Sequence, residues 1–96
     1  HNGTFWAIDY HGSFSRDLDV LGVDIYPGFA GGPAERPHWH AWYCDTTRGK
    51  AGNFIVPELQ GGPGGQLGYF HDNLEPGEMR QQVWTSVARG ADMVLH

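Results

Sequence analysis

The sequence predicts an α/β fold built on a parallel sheet, and two patterns support that prediction. Residues 20–26 and 54–60 are short, mostly apolar segments that run into glycine or proline, as buried parallel strands do. Each is followed by a longer segment in which apolar residues have helical spacing. Strands that alternate with helices favour a parallel sheet. A shorter unit precedes them, with residues 1–2 as a candidate strand end and residues 14–19 as a short helix.

The first long helix is predicted over residues 34–48, between the two strands. Trp39, Trp42 and Tyr43 are spaced i, i+3, i+4, which is the spacing of an apolar stripe on a helix. Gly49 follows as a stop signal. We therefore expect this helix to carry the chain back across the sheet.

The second long helix is predicted after Pro76, because proline is favoured in the first turn of a helix. Arg89 and Gly90 suit its end. Its apolar residues are expected to form one buried stripe: Met79, Val83, Trp84, Val87 and Ala88. Residues 91–95 are then the next strand, so the order from residue 20 onward is strand, helix, strand, helix, strand.

Composition and charge exclude several classes of protein. Six Lys and Arg against 11 Asp and Glu give a net charge of −5, which disfavours nucleic acid as a partner. The sequence lacks a run of about 18 apolar residues that could span a membrane. The lone Cys44 excludes an internal disulfide framework. The chain begins with His1 rather than Met, and its last apolar run stops at His96, so we expect a piece of something longer.

Polar side chains at the ends of the two strands are the candidate functional residues. Asp24 and Tyr26 end the first strand, and Glu58 and Gln60 end the second. Ligands of parallel α/β folds bind at the carboxyl ends of strands, where loops and helix N-termini converge. Side chains alternate along a regular strand, so each pair is expected to face one side of the sheet. The alternative for both acids is a helix cap or a loop carboxylate.

Two other patterns suggest ligands less strongly. His38 and His40 lie near Cys44 and Asp45, but zinc sites usually need three or four placed ligands, and surface imidazoles are the favoured alternative. The glycine-rich residues 61–68 fit neither nucleotide-binding pattern, since Leu67 stands where a third glycine belongs and Gly-Lys-Ser/Thr is absent. We expect a flexible loop over a site there, with a plain linker as the alternative. Neither a metal nor a cofactor is predicted.

Several of these segments together resemble glycoside hydrolase family 42, the β-galactosidases of clan A. The motifs that carry the resemblance lie in order along nearly the whole chain: His1-Asn2 ahead of residues 18–20, then VDIYP at 23–27, ELQGG at 58–62, PGEMR at 76–80 with Trp84, and ARGAD at 88–92. The resemblance implies a partial (β/α)8 TIM barrel across residues 1–96, from about the end of strand 5 through the start of strand 8. It implies no cofactor.

The resemblance also implies roles for the strand-end residues. It makes Glu58 the nucleophile of a retaining β-glycosidase that hydrolyses terminal β-D-galactosides through a covalent glycosyl-enzyme intermediate. Such an enzyme needs an ionised carboxylate and a protonated carboxyl about 5–5.5 Å apart. Substrate-binding roles are implied for Asn2, Asp24, Tyr26 and Gln60. The Tyr26 hydroxyl and the Gln60 amide are expected to hold the Glu58 carboxylate in place.

The sequence departs from the family pattern at the second catalytic residue. The family's acid/base glutamate follows an asparagine, and this chain has no Asn-Glu pair, so that residue is expected upstream of His1. The family's multi-cysteine zinc site is also absent. The isolated chain is therefore expected to be inactive.

Its expected partners are a β-galactoside or related oligosaccharide and the remainder of the barrel, with a homo-oligomer of the full-length protein left open. The sequence shows no recognisable targeting signal. The resemblance implies a cytoplasmic protein, as most members of the family are.

Other functions stay open at the level of sequence. Four aromatic residues in the predicted strand-end loops are expected either to stack on sugar faces or to serve in ordinary packing: Trp6, Phe29, Tyr69 and Phe70. One alternative is a non-catalytic carbohydrate-binding unit or an inactive barrel fragment, in which Glu58 only accepts hydrogen bonds. Another is an independent α/β domain that uses Asp24 and Glu58 as its own acid and nucleophile.

Overall fold

The computed structural model describes residues 14–63, 65–66, 69–70 and 72–96. Within them the regular elements, in chain order, are β1 (Leu21–Gly22), α1 (Arg36–Ala51), β2 (Phe54–Val56), β3 (Gly65–Gln66), β4 (Tyr69–Phe70), α2 (Glu78–Ala88) and β5 (Ala91–Val94). Short 3₁₀ helices lie at Phe14–Asp17 and Pro27–Ala30. The predicted positions at Asn2 and Trp6 lie outside the described residues.

A three-stranded parallel sheet in the order β1-β2-β5 lies at the centre of the fold. The helix α1 connects β1 to β2, and α2 precedes β5, so each parallel step contains a helix. The predicted order of strand, helix, strand, helix, strand is confirmed. The described residues form a small α/β unit that is compatible with part of an α/β barrel.

The core lies between the sheet and the two helices. It consists of residues from both strand ends and from α1: Val23, Ile25, Cys44, Phe54, Val56 and Leu59. Each of these side chains is at most 3% exposed. Burial of one such apolar side chain stabilises the fold by roughly 1.5–3 kcal/mol, so this cluster fixes the position of the strand ends.

The helices bury different faces from those that apolar spacing predicts. The buried residues of α2 are Glu78, Gln82 and Ser86, whereas Trp84 is 65% exposed. The predicted stripe of Met79, Val83, Trp84, Val87 and Ala88 is therefore wrong as a buried face, since Val83 alone in that set is even partly buried. On α1, Trp39 and Trp42 are 41% and 46% exposed, and their rings meet edge to face with centroids 5.4 Å apart, whereas Tyr43 of the same predicted stripe packs against the core.

The glycine-rich segment contains structure that the sequence did not predict. The strands β3 and β4 pair antiparallel, with Gly65 opposite Phe70 and Gln66 opposite Tyr69. Two residues a strand is short even for a hairpin, and the glycines give little side-chain pattern from which pairing can be recognised. Of the predicted loop over residues 61–68, residues 65–66 therefore belong to a short β ladder, and residues 61–63 have no regular structure.

Candidate functional site

An irregularity in β-sheet pairing places the candidate residues at the ends of β1 and β2. Gly22 pairs with Ile55, and the next bridge joins Ile25 to Leu59. Two residues thus lie between the paired positions on the first strand and three on the second. The extra residue lets Leu59 enter the core while Glu58 stays exposed, as a β-bulge re-aims side chains at a strand end. Glu58 and Gln60 consequently do not share the environment that a regular strand predicts.

The Glu58 carboxylate accepts a short hydrogen bond from the Tyr26 hydroxyl. The Oη to Oε2 distance is 2.6 Å, between residues 32 positions apart in sequence. This bond, together with burial and the charges of Glu58 and Asp24, raises the pKa of Tyr26 to about 12. The hydroxyl therefore remains a donor to the carboxylate across the physiological pH range.

Asp24 lies beside this pair as a buried carboxyl group. It is 8% exposed, and neither of its oxygens has a hydrogen-bond partner among the described residues. Burial, and secondarily the negative charge of Glu58, raises the pKa of Asp24. The site thus holds two carboxyl groups in unlike environments, one exposed and hydrogen-bonded to Tyr26 and the other buried.

Gln60 uses its side-chain amide to join three backbone segments. Its Oε1 accepts a bond from the Gly28 amide at 2.8 Å, and its Nε2 donates to the carbonyls of Gly62 and Asp72, both at 3.1 Å. The side chain is 2% exposed. Gln60 therefore fixes the loop after β1 and the loop after β2 relative to each other, at the end of the strand that carries Glu58.

Among the aromatic residues predicted in the strand-end loops, Phe29 is the one whose side chain the structure describes. It is 57% exposed and meets Tyr26 edge to face, with ring centroids 6.3 Å apart. An exposed ring beside a hydroxyl and a carboxylate offers an apolar surface next to hydrogen-bonding groups, which is what a sugar face requires. The side chains of Tyr69 and Phe70 lie outside the described set.

The proposed metal-ligand cluster on α1 does not converge. His40 is buried and bonds Ser86 Oγ through Nε2 at 2.8 Å, whereas His38 is exposed, with its Nδ1 3.3 Å from the Ala34 carbonyl. Asp45 pairs with Arg89. Within the described ranges, no three His, Cys, Asp or Glu side chains group together as metal ligands.

Neither α1 nor α2 has the length and apolar content needed to cross a membrane, as far as the described residues show.

One ion-pair cluster around the buried Arg36 was not predicted from the sequence. Arg36, 2% exposed, donates to Glu78 Oε2 at 3.0 Å and to Asp72 Oδ2 at 3.2 Å. Glu78 Oε2 also accepts from the Glu75 amide at 2.6 Å, which ties the loop ahead of α2 to the first residue of the helix. An acidic residue at a helix start was the available signal, but its partner 42 positions earlier was not recognisable from sequence spacing.

The described fold and site define a parallel α/β unit with a hydroxyl-bound carboxylate at its strand ends. Comparison with known proteins identifies the family to which this α/β unit belongs. The family model described as Beta-galactosidase, glycoside hydrolase family 42, matches residues 2–96, so the chain belongs to this family of glycosidases. The resemblance noted in the sequence is thereby confirmed.

A curated relative agrees with the family assignment. The chain is 33% identical over 84 residues to a protein named Beta-galactosidase BgaA from Clostridium cellulovorans, an alignment that covers 84% of this chain. The same alignment covers 13% of the relative, so the chain spans a small part of that protein's length. No solved structure matches the chain significantly.

Proposed function

We propose that this chain supplies the nucleophile's side of the active site of a retaining β-galactosidase. The observation that carries the proposal is the 2.6 Å hydrogen bond from Tyr26 to Glu58 at adjacent strand ends of a β-galactosidase family member. In this proposal the Glu58 carboxylate attacks the anomeric carbon and forms the glycosyl-enzyme, while a second carboxyl group protonates the leaving oxygen.

The environment of Glu58 suits a nucleophile. It is exposed at the strand end, so a sugar can approach it, and the Tyr26 hydroxyl restrains one carboxylate oxygen and leaves the other for attack. In this proposal Asp24 and Tyr26 contact the sugar. The side-chain amide of Gln60, by contrast, is hydrogen-bonded to the backbone of Gly28, Gly62 and Asp72. Gln60 therefore contributes to substrate binding by positioning the loops that it joins.

The remaining parts of the proposal extend beyond these 96 residues. The acid/base residue is expected on the barrel strands upstream, because the chain lacks the family's Asn-Glu pair. The parallel order β1-β2-β5, with helices between the strands, supports placement of this chain as the later strands of a TIM barrel. The substrate class is a β-D-galactoside, and Asn2 is a further proposed contact.

Chemical rescue tests the nucleophile in a polypeptide that joins this chain to the upstream barrel strands. Glu58→Ala removes the attacking carboxylate, and azide added to the variant should restore turnover of an activated aryl galactoside, with α-galactosyl azide as the product. Glu75→Ala, which truncates an exposed glutamate outside the site, is the matched control and should retain activity. A β-configured azide product, or full activity of Glu58→Ala without azide, would contradict the proposal.

The assay also distinguishes the two other functions. Binding of galactoside with no turnover in the wild-type polypeptide would favour a carbohydrate-binding unit. Turnover by the 96-residue chain alone would favour an independent domain in which Asp24 serves as the acid.

A further inference from the structure

The interface between α1 and α2 is polar where most helix interfaces are apolar. The buried residues of α1 include Arg36 and His40, and those of α2 are Glu78, Gln82 and Ser86. Direct side-chain pairs that cross the interface include Arg36 with Glu78 at 3.0 Å and His40 Nε2 with Ser86 Oγ at 2.8 Å. Buried polar groups are stable only when they are hydrogen-bonded, so every polar atom between these two pairs needs a partner.

A cavity of about 10 Å³ lies at this interface beside the Arg36–Glu78 pair, with His40 and Gln82 among its lining residues. Each of these residues is at least nine-tenths buried, and each has one buried side-chain atom without a hydrogen-bond partner among the described residues: His40 Nδ1 and Gln82 Oε1. A volume of about 10–15 Å³ on this measure holds one water molecule. The cavity therefore has the size and the polar lining of a single hydration site.

We propose that one water molecule binds in this cavity and bridges His40 Nδ1 to Gln82 Oε1. A neutral occupant suits the site, because the charges of Arg36 and Glu78, which also line the cavity, already pair with each other. The water accepts from the imidazole and donates to the glutamine oxygen. It thereby satisfies two buried atoms that have no hydrogen-bond partner of good geometry among the described residues.

The direction of the hydrogen bonds also assigns the imidazole tautomer. Cys44 Sγ lies 3.9 Å from Ser86 Oγ and donates to it, so the serine proton is free to be donated to His40 Nε2. Burial and the charge of Arg89 lower the pKa of His40 to about 4, so the ring is neutral at pH 7. Its proton then lies on Nδ1, where it is donated to the water. The chain of donors runs from Cys44 through Ser86, His40 and the water to Gln82.

Nuclear magnetic resonance of the ¹⁵N-histidine-labelled polypeptide that carries this chain tests the assignment. The expected result is a His40 spectrum of the Nδ1–H tautomer, with a cross-relaxation peak between that proton and a long-lived water. The Gln82 backbone carbonyl, which also raises the pKa of His40, is the competing acceptor. An Nε2–H tautomer, or an Nδ1–H proton with no water contact, would overturn the proposal.

A variant adds a second readout. Gln82→Met preserves side-chain length and removes the acceptor, so the water cross peak should be lost while the His40–Ser86 contact stays. Gln81→Met, which alters an exposed residue lining the same cavity, is the control and should keep the peak. If Gln82→Met does not fold, the wild-type spectrum still decides between a bridging water and direct donation to the carbonyl.

Discussion

Acidification should destabilise this fold through His40. The imidazole is 1% exposed between α1 and α2, and its protonation would place a positive charge in a buried interface that already holds Arg36 and lies near Arg89. The negative groups facing that region, Glu78 and Asp45, are themselves paired with the two arginines. Protonation of His40 therefore has no unpaired carboxylate nearby, among the described residues, to offset its cost.

The magnitude follows from the two pKa values of His40. The ordinary value of 6.5 applies to the unfolded chain, and the folded value is lowered to about 4 by burial and by the charge of Arg89. Since the unfolded state binds the proton more tightly, stability is full above pH 6.5 and is lost as pH falls from 6.5 toward 4. At about 1.4 kcal/mol for each pKa unit, the loss approaches roughly 3 kcal/mol near pH 4.

Urea unfolding followed by tryptophan fluorescence between pH 7.5 and 4 measures this loss. The His40→Gln variant, which cannot titrate at this position, is the control, and the difference between the two pH profiles isolates His40. Asp24 acts in the opposite direction, because its raised pKa makes the folded state bind the proton more tightly, but it contributes to both profiles. A difference profile that is flat between pH 6.5 and 4, or that rises on acidification, would refute the reasoning.

Three substitutions test other contacts. Tyr26→Phe removes a hydrogen bond to a charged group, worth about 1.5–3 kcal/mol, so kcat/KM of the assembled enzyme should fall about 10- to 100-fold with little change in the free energy of unfolding. Gln60→Leu leaves three backbone groups without their side-chain partner and should lower the free energy of unfolding by about 2–3 kcal/mol in urea titrations. Gly90→Ala should cost about 1–2 kcal/mol in the same assay, because φ is +89° and the new Cβ would displace the Arg48 guanidinium.

Control variants distinguish the loss of each named contact from a nonspecific loss of stability or activity. Gly49→Ala places a Cβ where nothing lies within 4 Å inside α1, and it should stabilise the fold by about 0.5–1 kcal/mol, opposite in sign to Gly90→Ala. Gln60→Glu keeps the acceptor for Gly28 but turns a carboxylate oxygen toward the carbonyls of Gly62 and Asp72 at a buried position, so its loss should equal or exceed that of Gln60→Leu. An active Tyr26→Phe enzyme with unchanged kcat/KM would show that the bond to Glu58 is dispensable.

Local patterns were sufficient to predict the element order but not the buried faces of the helices. Proline at a helix start and short apolar strands are signals within a few residues, and they predicted β2, α2 and β5. Trp84 has the spacing of a core residue and is 65% exposed, since spacing identifies a stripe without showing what the stripe faces. Arg36 and His40 are buried because their partners lie on α2, more than 40 positions away, and such pairs leave no local signal.

The candidate site shows the same division. Strand-end position made Tyr26 and Glu58 candidates from the sequence, and the structure brings them within 2.6 Å. The role of Gln60 in joining loops depends on the additional residue between Ile55 and Leu59, which breaks the alternation assumed for a regular strand. The sequence does not reveal this one-residue bulge. Pro57 lies within it, but proline is compatible with a strand end as well as with a bulge.

The nucleophile assignment is the central claim, and covalent trapping tests it most directly. A polypeptide that contains this chain and the upstream strands would be treated with an activated 2-deoxy-2-fluoro-β-galactoside, which forms a long-lived glycosyl-enzyme, and then digested for peptide mass spectrometry. The predicted result is a single fluorogalactosyl adduct on Glu58. An adduct on any other residue, or inactivation that proceeds equally in Glu58→Ala, would contradict the account.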